Sequence, residues 1–292
     1  MAYSAANAAA GLKEVNKTMT SDISFFHWTL PNPIIISSGP LSTATTPITS
    51  ALRHGAAAVI TKTVSTSTEQ VNHGVFHYSE SETFNTEGYS PRSASDWLAS
   101  WNELRGLPVI ANIHAATPVE AASLAIRFED AGAEVLELCV SCPTFGNDPV
   151  CFDIDTLRDF CAQVRKAVKI PVLAKILISM SKRLNREMVA CICDCGIEGV
   201  TLSDSLPGSM FIDGTVKHGG LTGSFSKALV MRALHDIQDF DIQKIAVGGV
   251  FTSKDVRDYM NCGAMAVGVL TSVMKGGWKY LENLVTDYFS DA

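Results

Sequence analysis

The sequence predicts an α/β protein: a (β/α)8 barrel in a single domain behind a short N-terminal extension. Three observations point there. Eight short apolar runs recur along the chain, of the continuous kind expected where a parallel strand is covered on both faces. Amphipathic stretches with helix caps lie between them. No GxGxxG turn follows the first run, which argues against a doubly wound dinucleotide-binding sheet.

Taken in order, residues 1–31 form the extension. Its first 22 or so residues are a small-residue lead-in, and Phe25, Phe26, His27 and Trp28 belong to a hairpin that covers the barrel floor. The barrel occupies residues 32–292. Its strands are predicted at 33–37, 58–62, 109–113, 135–140, 172–176, 199–202, 245–247 and 266–269. Helices are predicted at 118–131, capped by Thr117 and stopped by Gly132, and at 155–168, 184–195, 226–237 and 253–261, with Ser253 as the last cap. Residues 64–108 and 203–224 are too long for simple connections and are expected to open at the end of the barrel where active sites sit.

Composition bounds the function. The chain has 292 residues, with 23 basic and 30 acidic side chains, for a net charge of −7. Hydrophobic residues make up 47 % and charged residues 18 %, which is globular rather than disordered. The acidic balance argues against nucleic acid as a partner. No apolar run is long enough to cross a bilayer, and the start lacks the pattern of a secretory signal. Eight cysteines without small-scaffold spacing read as reduced thiols, so a cytoplasmic protein is expected.

Strand ends carry the chemistry in this fold. Strand one ends in Ser37-Ser38-Gly39-Pro40, strand two in Lys62-Thr63, and strand four in Ser141-Cys142-Pro143. Strand three carries Asn112 and strand five Lys175. Gly248-Gly249 and Gly268-Val269 follow strands seven and eight, the usual place for a phosphate held by backbone N–H groups. The Gly219–Gly223 segment adds a glycine-rich turn before a helix. A lysine inside a barrel needs an anion or an electron-rich partner, so Lys62 and Lys175 read as cofactor contacts or as Schiff-base formers.

Several features take plainer readings. Cys191, Cys193 and Cys195 alternate too closely for a zinc site, and no metal is expected. His73, His77 and His114 read as packing or surface residues, and Arg92 either binds a substrate anion or faces water.

The ordered motifs NPIIISSGP, ITKTV, NTEGYSP, ELCVSCP, VLAKI, SDSLPGSMFID, GGLTG, AVGGVFTSKDV and AVGVLTS carry a resemblance over nearly the whole chain. The sequence resembles the dihydroorotate dehydrogenase family, which includes the pyrimidine-reducing domain of dihydropyrimidine dehydrogenase. The resemblance implies an FMN-binding TIM barrel that interconverts a CH–CH and a C=C bond in a dihydropyrimidine-like ring. Ser38, Gly39, Lys62, Thr63, Asn112, Lys175, Gly220, Gly248, Gly249, Gly268 and Val269 would hold the flavin. Cys142 would be the acid/base, and Asn85, Cys139, Thr144, Asp204 and Ser205 would meet the substrate. A homodimer and an electron-transfer subunit are further implications.

The substrate half departs from the family pattern. Cys139, Thr144 and Asp204 stand where the family has asparagines, and Asn85 keeps its type. An ionised carboxylate accepts but does not donate, and Asp204 beside a substrate carboxylate would repel it. The expected substrate is therefore not orotate itself. It is a ring without the carboxylate, or one with an added donor or positive group. The alternatives are a flavin-binding protein without turnover and a lyase using Lys175 as a Schiff-base former.

Overall fold

The computed structural model describes residues 22–66, 74–79, 82–142 and 148–290. Eight parallel strands close on themselves. They are β3 (Ile34–Ile36), β4 (Ala58–Ile60), β8 (Val109–His114), β9 (Val135–Cys139), β10 (Val172–Ile176), β11 (Gly199–Leu202), β14 (Gln243–Val247) and β15 (Ala266–Val269). Their order follows the chain, and the pairing of β15 with β3 closes the ring. The fold is a (β/α)8 TIM barrel.

A helix follows each strand: α1 (Thr45–Arg53), α2 (Ala94–Ser100), α3 (Pro118–Ala131), α4 (Ile154–Ala167), α5 (Lys182–Asp194), α6 (Ser226–Asp236), α7 (Ser253–Asn261) and α8 (Thr271–Ser290). Local sequence explains their ends. Thr117 and Glu120 form a capping box at the start of α3, and Gly132 ends it at φ 98°. The cap of α7 is Thr252, one residue before the expected Ser253, because Asp255 answers Thr252 across a capping box. Helix α8 is interrupted at Gly277.

The period-2 alternation of the strands sorts residues into two cores. Outward positions such as Leu136, Leu138, Val172 and Ala174 pack under the helices. Inward positions stack in layers along the barrel axis. At the floor, Phe25 and Leu30 pack against Ile35, Ala58, Ile110, Val135, Leu173 and Ala266. Those two aromatic and aliphatic plugs come from a hairpin of β1 (Ile23–Phe25) and β2 (Trp28–Leu30). Above the apolar floor, Asn112 and Glu137 are buried register partners, and the buried Thr201 of β11 reaches Glu137 through its side chain.

The two long excursions meet. Short β5 (Val64–Ser65) extends the barrel sheet beside β8. Strands β6 (Phe76–Tyr78) and β7 (Glu82–Asn85) follow, and after β11 come β12 (Leu206–Ile212) and β13 (Thr215–Gly223). They form one antiparallel sheet in the order β12-β13-β7-β6. The Gly219–Gly223 segment is therefore strand, not the expected turn; glycines at 219 and 220 let β13 approach Asn85 and Ser205, where a Cβ would sit 2.2 Å and 2.1 Å from neighbouring oxygens.

Candidate active site

An open cleft lies at the C-terminal ends of the barrel strands, walled by the four-stranded sheet. Ser38, Gly39, Lys62, Thr63, Asn85, Cys139, Cys142, Lys175, Asp204, Ser205, Gly248, Gly249, Gly268 and Val269 all line it. Two expected contacts do not. Asn112 lies below the cleft with its amide on Glu137, and Gly220 is in β13, where its carbonyl accepts from Asn85 Nδ2 at 3.2 Å. Thr144 lies outside the described residues, as does His73.

One side of the cleft is built for close backbone approach. Gly248 and Gly249 have φ of 121° and 67°, the left-handed region that favours glycine. A Cβ on Gly249 would lie 2.7 Å from the Lys227 nitrogen at the start of α6. A Cβ on Gly268 would lie 2.3 Å from Ser37 Oγ. Ser37 Oγ and Thr83 Oγ1 are buried at the lining with no hydrogen-bond partner among the described residues. Buried hydroxyls are almost always paired, so both call for a polar ligand.

The charged groups come in two pairs. Lys62 Nζ donates to Glu87 Oε2 at 2.6 Å. Lys175 Nζ lies 3.1 Å from Asp204 Oδ2, which also accepts from Ser141 Oγ at 2.7 Å, while Asp204 Oδ1 accepts from the Ser205 N–H at 2.8 Å. Burial works against the Lys175 ammonium, but Asp204 and its acidic neighbours Cys139 and Glu137 together outweigh it, so Lys175 is held above the ordinary lysine range. Asp204 thus has three partners within the protein: Lys175, Ser141 and the Ser205 N–H.

Three site residues escaped the sequence reading. Glu87 pairs with Lys62 across 25 residues of chain. Glu137 is fully buried, accepts from Asn112 and from Thr201 Oγ1 at 2.5 Å, and is driven by desolvation towards its protonated form. Its signal was visible: an acidic residue inside the apolar run VLELC must face a polar partner. Tyr89 is the third. Its hydroxyl is in hydrogen-bond contact with Cys142, and its ring packs on His114 at 4.6 Å between centroids. Burial keeps Tyr89 above its usual range, as a neutral phenol able to donate to sulfur.

The two thiols differ. Cys139 is buried, which pushes its thiol up to about 12. Cys142 is only half-buried and opens on the cleft. The other singled-out residues serve the fold. Arg92 bonds the Asp96 carbonyl and Ser100 Oγ and lies over the Trp97 ring, so it fastens α2. Cys191 and Cys195 each reach a carbonyl of the α4 region, tying α5 to α4. Among the described residues no helix is long and apolar enough to cross a membrane.

Comparisons with known proteins agree with this architecture. A family model described as dihydroorotate dehydrogenase matches residues 21–288. The chain is 26 % identical over 284 residues to the protein named "Dihydroorotate dehydrogenase B (NAD(+)), catalytic subunit" of Methanocaldococcus jannaschii, covering 89 % of each chain. It is 30 % identical over 282 residues to the protein of the same name from Methanocella arvoryzae, covering 87 % of this chain and 90 % of the relative.

Proposed function

Because the chain belongs to the dihydroorotate dehydrogenase family, whose members are oxidoreductases acting on CH–CH bonds, we propose that it is an FMN-dependent enzyme that interconverts a CH–CH and a C=C bond in a dihydropyrimidine-like ring. The observation that carries the reading is the meeting, in one cleft, of a half-buried thiol, two lysines and a glycine cradle.

The residues fit FMN. Gly248, Gly249 and Gly268 let the backbone at the ends of β14 and β15 pack closely on Ser226, Lys227 and Ser37, which keeps exposed N–H groups beside the first turn of α6, a place that suits a phosphate. Ser37 and Thr83 offer buried hydroxyls without partners among the described residues. Ser38, Gly39, Lys62, Thr63, Lys175 and Val269 line the same cleft and would flank the rest of the cofactor. Asn112 would act from beneath, through the position of Glu137. When bound, FMN supplies a two-electron acceptor for hydride.

This chain supplies the proton chemistry. Cys142 Sγ takes a proton from one ring carbon in oxidation and returns it in reduction. The Tyr89 hydroxyl, donating to that sulfur, favours the thiolate. Asn85 and Ser205 would orient the ring, Asn85 held by Gly220 and Ser205 by Asp204. The ion pair of Lys175 with Asp204 at 3.1 Å, together with the family match, favours the oxidoreductase over a Schiff-base lyase. The relatives are named catalytic subunits with NAD(+) in their name, which supports an electron-transfer partner subunit for this chain as well.

The test is anaerobic rapid mixing of the FMN-loaded protein with dihydroorotate and with 5,6-dihydrouracil. C142A should bind flavin normally and slow its bleaching by about 10²- to 10⁴-fold, the usual contribution of a general acid or base. Unchanged bleaching would remove Cys142 from the mechanism, and a protein that binds no flavin would remove the reading.

A further inference from the structure

The turn between β14 and α7, residues 248–252, is fixed from outside the cleft by two helices. The Gly248 carbonyl accepts from the Tyr259 hydroxyl of α7 at 2.7 Å, and the Phe251 carbonyl accepts from the Tyr280 hydroxyl of α8. The Phe251 and Thr252 N–H groups donate to Asp255 Oδ2 at 2.9 Å and 2.8 Å. Gly248, Gly249 and Val250 line the cleft, and the N–H groups of Gly249 and Val250 reach no backbone carbonyl among the described residues.

Opposite this turn stands the start of α6. A Cβ on Gly249 would lie 2.7 Å from the Lys227 nitrogen and 3.0 Å from the Gly223 carbonyl oxygen, so turn and helix start touch backbone to backbone. Ser226 lines the cleft beside them. The place suited to an anion is therefore a seam between two separate pieces of chain, and its width depends on what joins them.

Lys227 joins them. Its Nζ donates to Asp255 Oδ1 at 2.5 Å and to Asp258 Oδ2 at 2.6 Å. Asp255 is the shared joint: Oδ1 takes Lys227, while Oδ2 takes the two N–H groups of the turn. All three side chains are less than one-quarter exposed. Lys227 does not line the cleft, so its ammonium is not offered to a ligand. It also neutralises Asp255, whose charge would otherwise oppose an anion bound at the turn it holds.

We propose that Lys227 is a positioning residue for the phosphate end of the cofactor: through Asp255 it sets the spacing between the β14–α7 turn and the start of α6. The proposal rests on the FMN reading above and adds a residue that the sequence motifs did not single out. FMN and riboflavin share the ring and the ribityl chain and differ in the phosphate alone. Comparing the two separates this role from a general loosening of the fold.

Fluorescence titration of the flavin-depleted chain with FMN and with riboflavin tests it. The unaltered protein is expected to prefer FMN by about 10²-fold, what one or two charge-assisted hydrogen bonds contribute. K227M should cut that preference by about tenfold or more, the loss of one such bond, with riboflavin affinity within about twofold of the original. K227R keeps a cation with several donors for Asp255 and Asp258 and should bring the preference back to within about threefold. Circular dichroism checks folding. If K227M does not fold, D258N removes the more exposed of the two Lys227 contacts and should still lower the preference by about threefold. A folded variant with an unchanged preference overturns the proposal, as does one that weakens FMN and riboflavin alike. An unaltered protein that binds both flavins equally overturns the placement of the phosphate and the proposal with it. One that binds neither overturns the oxidoreductase reading itself.

Discussion

Asp204→Asn probes the lower of the two ion pairs. Lys175 Nζ is 3.1 Å from Asp204 Oδ2, and the side chains are 11 % and 16 % exposed. At an effective dielectric of about 20, two unit charges at that distance attract by roughly 5 kcal/mol before desolvation is considered. Removing one partner of a buried pair typically costs about 3–5 kcal/mol. Both side chains keep some contact with solvent, which brings the expectation to about 2–3 kcal/mol. The amide cannot replace all the contacts. If its oxygen accepts from the Ser205 N–H, its NH₂ faces an ammonium; if it turns, two donors meet at Ser205. For a domain of this size the melting temperature should fall by about 3–5 °C at pH 7.

The sign of the pH dependence gives a second check. In the unaltered protein Lys175 is raised above its ordinary value, so its stabilising contribution is complete below the unfolded-state lysine pKa and is lost only at more alkaline pH. Without Asp204 the buried ammonium loses its largest support and its pKa drops. Deprotonation near pH 10 then relieves the strain. Differential scanning calorimetry at pH 7 and pH 10 should show the gap between the two proteins narrowing at the higher pH. A fall of less than about 1 °C at pH 7, or a gap of equal size at both pH values, would refute the assignment of Lys175 and Asp204 as a working pair.

Three further outcomes are expected. G268A places a Cβ 2.3 Å from Ser37 Oγ and should purify with a lower ratio of flavin absorbance to protein absorbance while keeping its far-ultraviolet dichroism. Y89F removes the phenol that touches Cys142; the rate of iodoacetamide alkylation at that thiol should shift to more alkaline pH, and an unshifted profile would deny Tyr89 its influence. T252A removes the α7 cap and should cost about 1 kcal/mol, a fall of roughly 1–2 °C in Tm, with ligand binding unaffected.

What could be read from the chain follows from where its information is local. Barrel strands show as continuous apolar runs because both faces are covered, and all eight emerged within a residue or two of their predicted positions. Helix α3 was legible to the residue because Thr117, Pro118 and Gly132 each act within one turn. Helix α1, TTPITSALR, was not singled out: its threonines and proline carry weak helix propensity, and its stability comes from Ile48, Ala51 and Leu52 packing on the barrel. In the cleft, the strand-end residues were legible because the fold dictates where strands end. Their partners were not. Glu87 reaches Lys62 through a loop, and Asp204 reaches Lys175 from a different strand. No period in the sequence encodes such a pairing. The same holds for β13, whose glycines resemble a turn until β7 and β12 are seen on either side of it.

The sheet that walls the cleft also constrains how this protein can change. Asn85 belongs to the excursion after β4 and Ser205 to the excursion after β11, yet both abut Gly220. The two excursions are one mechanical body assembled from distant stretches of chain. Lengthening either by a single residue would slide the register of β7 on β13 and turn Asn85 away from the cleft. Transplanting one excursion from a relative, without the other, would pair strands that were never matched. New specificity in this scaffold is therefore reached by exchanging side chains at fixed positions, or by moving both excursions together as a cassette.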